Sequence, residues 1–184
     1  GMNALAHCIE GMYSKVKNPI SEALAVQGIS YLNEALPKIH NSPQDKDARA
    51  LGLIGAYLSG MVISNARVGI HHGICHGLGS LGGLSHGVAN SVFLPHAMRF
   101  NLEVAPEYLA KVATAMGVDT HQLSTKEAAL HAIVAIENLQ LAPSPRWQMT
   151  PRVPKSSLPP HQPQHSRGSQ HQLSLNHHGL ALLN

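Results

Sequence analysis

Residues 71–96, HHGICHGLGSLGGLSHGVANSVFLPH, decide how this chain is read. Five of its fourteen histidines lie here, set among glycines. Neutral imidazole ligates metals and carries protons near neutral pH, so this density points to a site. His72 and His76 are four residues apart, which on a helix puts both on one face, one turn above the other. His86 follows ten residues after His76. Gly77, Gly79, Gly82 and Gly83 between them have no Cβ, so a sharply turning loop is expected to bring the flanking imidazoles together. A histidine among apolar residues is by itself more often a hydrogen-bonded structural residue than a ligand. Several at these spacings shift the balance toward function.

Two motif matches fail on inspection. HGICH is not the HExxH signature, because Gly73 stands where a metalloprotease needs its general-base Glu. Gly77, Gly79 and Gly82 match GxGxxG, but no β-branched strand precedes them and no acid lies about twenty residues on, as a dinucleotide fingerprint requires.

Upstream, GMNALAHCIEGMYSKV reads as a helix with Ala4, Leu5, Cys8, Ile9 and Met12 on its buried stripe. Asn3 and His7 share a neighbouring face; taken alone, Asn3 reads as a helix cap and His7 as a partly buried surface residue. Asn18 and Pro19 cap and start a second helix through about Leu36, where Pro37 is expected to interrupt it. A third helix runs from about Gln44 to Ala66 with Leu51, Ile54, Leu58, Met61 and Val62 buried. Downstream, His86 begins a helix carrying Val88, Val92, Phe93 and Leu94, with a bend near Pro95 and His96. Pro106 opens another through Met116, closed by Gly117, and Ser124 with Glu127 forms a capping box ahead of Ala128 to Leu139. No alternating strand pattern occurs before residue 140, so the body is expected to be all-α.

Composition agrees: the chain is 43% hydrophobic and only 12% charged and 4% aromatic. Its net charge of +3 does not mark a nucleic-acid binder. Residues 1 to 140 hold nine basic and ten acidic side chains, whereas residues 141 to 184 hold Arg146, Arg152, Lys155 and Arg167 and no acid. The body therefore has no basic face for phosphates. Cys8 and Cys75 make no disulfide framework, which fits a reducing, cytoplasmic setting. The least charged span, between Arg49 and Arg67, is broken by glycines and serines and is short for a membrane crossing.

From Ala142 the chain carries seven prolines, five histidines and no acid. Such a segment buries too little apolar surface to offset its ordering entropy, so residues 141–184 are expected to be a disordered tail. The break predicts that the coding frame is lost near residue 142. A neighbouring reading frame that continues the helical pattern would support this, and its absence would count against it.

Three blocks in order, GMNALAHCIEGMYS, then HHGICHGLGSLGGLSHGVANSVFLPHAMRFN, then YLAKVATAMGVD, resemble the C-terminal helical domain of the iron-containing alcohol dehydrogenases, the superfamily that includes the maleylacetate reductases. The resemblance covers residues 1 to 140. It implies the helical-bundle half of the dehydroquinate synthase-like fold, without the α/β half that binds the nicotinamide dinucleotide. It also implies hydride transfer between NAD(P)H and a small carbonyl or alcohol substrate, and a homodimer. In that family an Asp and three histidines hold one divalent metal, usually Fe(2+) or Zn(2+). Those positions fall on Asn3, His7, His72 and His86, while His76 matches a histidine near the nicotinamide that is a candidate proton relay.

Asn3 departs from the pattern. An amide oxygen offers a dipole where Asp offers a charge, so a dication is held more weakly. Asn in this setting resembles the maleylacetate reductase branch, whose members work without a bound metal and would use these histidines as hydrogen-bond donors to an anionic substrate. The SHGVANS run resembles the metal-dependent branch equally. With no evident nicotinamide site, the chain alone is expected to be inactive. The competing expectation is a non-catalytic helical remnant that at most binds a divalent metal.

Overall fold

The computed structural model describes residues 1–82 and 84–141, apart from the side chains of Leu81 and Leu141. The tail expected to be disordered lies outside the described residues. Among those described there are only helices: α1 Met2–Tyr13, α2 Pro19–Asn41, α3 Lys46–Asn65, α4 Ile70–Gly82, α5 His86–Asn101, α6 Pro106–Ala115 and α7 Thr125–Leu141. The all-α reading is correct. No single described helix is long and apolar enough to cross a membrane, and α3 with α4 reaches that length only across a bend of 105°.

α1 is the hub. Ala4, Leu5, Cys8, Ile9 and Met12 are buried, as their spacing predicts, Ala6 is buried beside them, and α1 touches α2, α3, α5 and α6. The core around it is filled by Ile29 and Leu32 of α2, Val62 of α3, Leu94 and Met98 of α5, Leu109 and Val112 of α6, and Ile133 and Ile136 of α7. The other strong pairings are α2 with α3, α6 with α7 and α4 with α5.

Several helix ends follow the sequence reading. Asn18 accepts from the Ser21 N–H at 2.9 Å while Ser21 Oγ accepts from the Asn18 N–H at 3.0 Å. Ser124 and Glu127 form the expected reciprocal box, with the Ser124 N–H donating to Glu127 at 2.8 Å. Gly117 closes α6 at φ 83°, a conformation that suits glycine, and Val118 N–H reaches back to Ala113 C=O at 3.0 Å.

Other expectations fail for identifiable reasons. Pro37 does not interrupt α2, and Pro95 lies inside α5. A proline removes one N–H; the bonds on either side persist, and Ile39 beyond Pro37 packs so closely on α3 that a Cβ on Gly52 would sit 2.9 Å from it. On α3, Val62 is buried and Leu51 and Leu58 are half-buried, but Ile54 and Met61 are exposed. The face that meets α2 is built from small residues, Ala48, Gly55 and Ser59. A Cβ on Gly55 would lie 2.7 Å from Leu32 Cγ, so close helix contact displaced the larger side chains outward. The expected glycine loop is mostly helix, since α4 runs through Gly77, Gly79 and Gly82. Each glycine costs a helix about 1 kcal/mol, which is opposed here by tertiary contacts: His71, His72 and Cys75 are buried on one side of α4, and Glu10 accepts from the N–H groups of Gly69 and His71 at its start.

Candidate functional site

All five side chains singled out in the sequence, Asn3, His7, His72, His76 and His86, line one recess of about 550 Å³, together with Ile63, Arg67 and Val68. That size suits a small ligand. α1 supplies Asn3 and His7 from consecutive turns, α4 supplies His72 and His76 in the same way, and α5 supplies His86 from its first residue. Asn3 does not cap α1: Gly1 is the cap residue, and the amide points into the recess instead. The rings of His7 and His72 stack at 4.6 Å, those of His76 and His86 at 5.3 Å, and His72 lies 5.8 Å from His86. The ends of α4 and α5 thus achieve the convergence assigned to a loop. His96, the last histidine of the opening stretch, is exposed and does not line the recess.

Glu10 was not singled out from the sequence, and it organises the site. It is buried on α1, one turn beyond His7. Its Oε1 accepts from the backbone N–H groups of Gly69 and His71, both at 3.0 Å, and its Oε2 accepts from His72 Nδ1 at 2.5 Å. His71, also buried, donates through Nε2 to the Asn90 backbone carbonyl at 3.0 Å. The available signal was an acid on the buried face of an apolar helix, which demands a partner. Glu10, His71 and His72 crowd their donor atoms within 4.8 Å, a metal-like cluster in which Glu10 Oε2 and His72 Nδ1 are already joined by a hydrogen bond.

Burial opposes charge on Glu10, yet the hydrogen bonds from His71 and His72 and the fields of their rings prevail and hold its carboxyl at about 2. Burial, then the adjacent His72, holds the His7 imidazole down at about 4. His86 is lowered by burial and then by His72 and His76. Glu10 and His7 both have folded values below their ordinary ones, so each favours the folded state above its ordinary pKa and ceases to do so as pH falls through the folded value. The urea midpoint is therefore expected to fall between pH 6.5 and 4 through His7 and between 4.5 and 2 through Glu10. His7→Gln should flatten the upper part of the profile, and an unchanged slope would contradict the assignment.

The donor set fits a divalent metal in kind. His7, His72 and His86 offer imidazole nitrogen, and Asn3 Oδ1 lies 3.2 Å from His72 Nε2. Three imidazoles and an oxygen suit zinc or iron(II), although the set carries no negative charge of its own. Arg67 at the recess adds a positive one.

A helical bundle thus gathers histidines from three helices round one small recess. The comparisons are specific. Residues 1–144 match the sequence profile of the Fe-containing alcohol dehydrogenase family, C-terminal, and the chain belongs to that family. It is 39% identical over 137 residues to the NAD-dependent methanol dehydrogenase of Bacillus methanolicus, covering 74% of this chain and 36% of that one. It is 41% identical over 134 residues to maleylacetate reductase 2 of Cupriavidus pinatubonensis, covering 73% and 37%. Among solved structures, a 1,3-propanediol oxidoreductase superposes with a TM-score of 0.75 at 39% identity, covering 77% of this chain and 37% of that one. The chain thus spans little more than a third of the length of these relatives.

Proposed function

We propose that residues 1–140 are the helical metal- and substrate-binding domain of an oxidoreductase that transfers a hydride between NAD(P)H and a small alcohol or carbonyl compound. The observation that carries this is the convergence of Asn3, His7, His72 and His86 on one recess. A family profile and relatives that include NAD-dependent dehydrogenases support it.

In this reading His7, His72 and His86 hold Fe(2+) or Zn(2+), with Asn3 as a weak fourth ligand. When bound, such a metal polarises an alcohol or carbonyl oxygen. The chain's own residues do the rest. Glu10 fixes the His72 ring, and Ile63 and Val68 give the recess apolar walls that limit water. His76, exposed and stacked on His86, is the residue placed to exchange a proton with solvent beside the nicotinamide.

One observation favours the maleylacetate reductase variant instead. Asn3 is neutral and Arg67 lines the same recess, so an anionic substrate would meet a cation and hydrogen-bonding rings without a metal.

The deciding experiment is elemental analysis after anaerobic incubation with iron(II) or zinc, alongside His72→Ala. Close to one metal per chain, lost in the variant, is the expected result for the metal-dependent enzyme. A folded protein without stoichiometric metal would move the assignment to the reductase variant. If the chain neither holds metal nor unfolds cooperatively, the remnant reading stands and the proposal falls.

A further inference from the structure

The hydrogen bonds around Glu10 constrain where the ring protons of the site lie. A backbone carbonyl only accepts, so the His71 proton must sit on Nε2, toward Asn90. Glu10 Oε1 is committed to two backbone N–H groups, at Gly69 and His71. Its Oε2 can only accept as well, so the His72 proton facing it must sit on Nδ1. The bare His71 Nδ1, 3.3 Å from His72 Nδ1, tolerates that proton and offers none to compete with it. His72 Nε2 is then left with a lone pair facing the Asn3 amide, whose oxygen lies 3.2 Å away and whose NH2 takes that place when the amide turns over.

We propose that Glu10 is a positioning residue that locks His72 as its Nδ1–H tautomer and so presents a bare Nε2 to the recess. This rests on the functional reading above and deepens it. A bare Nε2 accepts: it takes a cation, or the hydroxyl proton of an alcohol, and it repels a carboxylate. Histidines that ligate metals commonly donate their other N–H in this way, which fixes the ring and raises its basicity. The same lone pair explains the role of Asn3 when no cation intervenes. An amide can turn its NH2 toward His72 and its oxygen toward His7, whose Nε2 lies 3.5 Å from the other end of the amide. One half-turn of the side chain then exposes the oxygen to an incoming metal.

Glu10→Gln tests the proposal. Only an acceptor can satisfy the Gly69 and His71 N–H groups together, so the glutamine oxygen is held there and its NH2 turns to His72. His72 must answer with a bare Nδ1, which moves its proton to Nε2 and closes the recess to a cation.

The test is nitrogen-15 NMR of the full chain with labelled histidines, metal-free at pH 8, supported by Zn(2+) titration. The expected result is Nδ1–H at His72 in the native protein and Nε2–H in Glu10→Gln, with zinc affinity about 10- to 100-fold lower in the variant. A native His72 protonated at Nε2, alone or together with Nδ1, overturns the proposal, as does an unchanged tautomer in the variant. Should Glu10→Gln not fold, the native spectrum alone decides. If the tautomer switches but neither protein binds zinc, the positioning role is supported and the metal-dependent reading is what fails.

Discussion

Asn3→Asp is expected to raise affinity for zinc or iron(II) about 100-fold, the equivalent of roughly 2.7 kcal/mol. A carboxylate near a dication gains several kcal/mol at the effective dielectric of a partly buried site, and part of this is lost to desolvation. In the native chain the three imidazoles and the Asn3 amide bring no negative charge to the recess, and Arg67 opposes a cation. The substitution also removes the Asn3 NH2, a hydrogen-bond donor beside His72 Nε2. Without metal, a carboxylate oxygen would confront a bare nitrogen close to the present 3.2 Å separation. The metal-free variant should therefore melt lower than the native chain and the zinc-loaded one higher. Calorimetric titration and paired thermal melts measure both effects. Equal affinity in the two proteins would show that residue 3 is not a ligand.

Ile9→Ala is expected to cost about 2–5 kcal/mol of stability, read as a lower urea midpoint at an unchanged slope. Ile9 is fully buried in the middle of α1, which touches four other helices, so the cavity has little freedom to collapse. Ile9→Val should cost only about 0.5–1.5 kcal/mol. The loss will reach the site, because Asn3, His7 and Glu10 ride on another face of the same helix. Equal midpoints for native and alanine proteins would mean that α1 is not the packed centre of the bundle.

Much of this was legible in the sequence. Apolar spacing placed α1 and α7, Pro106 and Gly117 bounded α6, and the caps at Asn18 and Ser124 started helices where side-chain chemistry required. The His72 and His76 pair was legible too, since histidines four apart on a helix share a face, whereas Asn3 and His7 joined it only through the family resemblance. What escaped depended on contacts between distant segments. Nothing near Glu10 reveals that its partners lie about sixty residues away. Arg67 enters the recess only because the chain turns sharply between α3 and α4. Small residues on α3 read as a weak stripe, although they are what lets α2 approach. Pro37 and the glycines of α4 read as breaks because local propensity cannot register the packing that overrides it.

The clamp of Glu10 on Gly69 and His71 also bears on the order in which the protein assembles. Those two N–H groups open the first turn of α4, where a helix normally finds a cap in its own preceding residues. Here the cap comes from α1. With four glycines in thirteen residues, α4 has little tendency to form alone. The helix carrying His72 and His76 should therefore form late, on an α1 already docked in the core. Substitutions in α4 would then speed unfolding while leaving the refolding rate nearly unchanged.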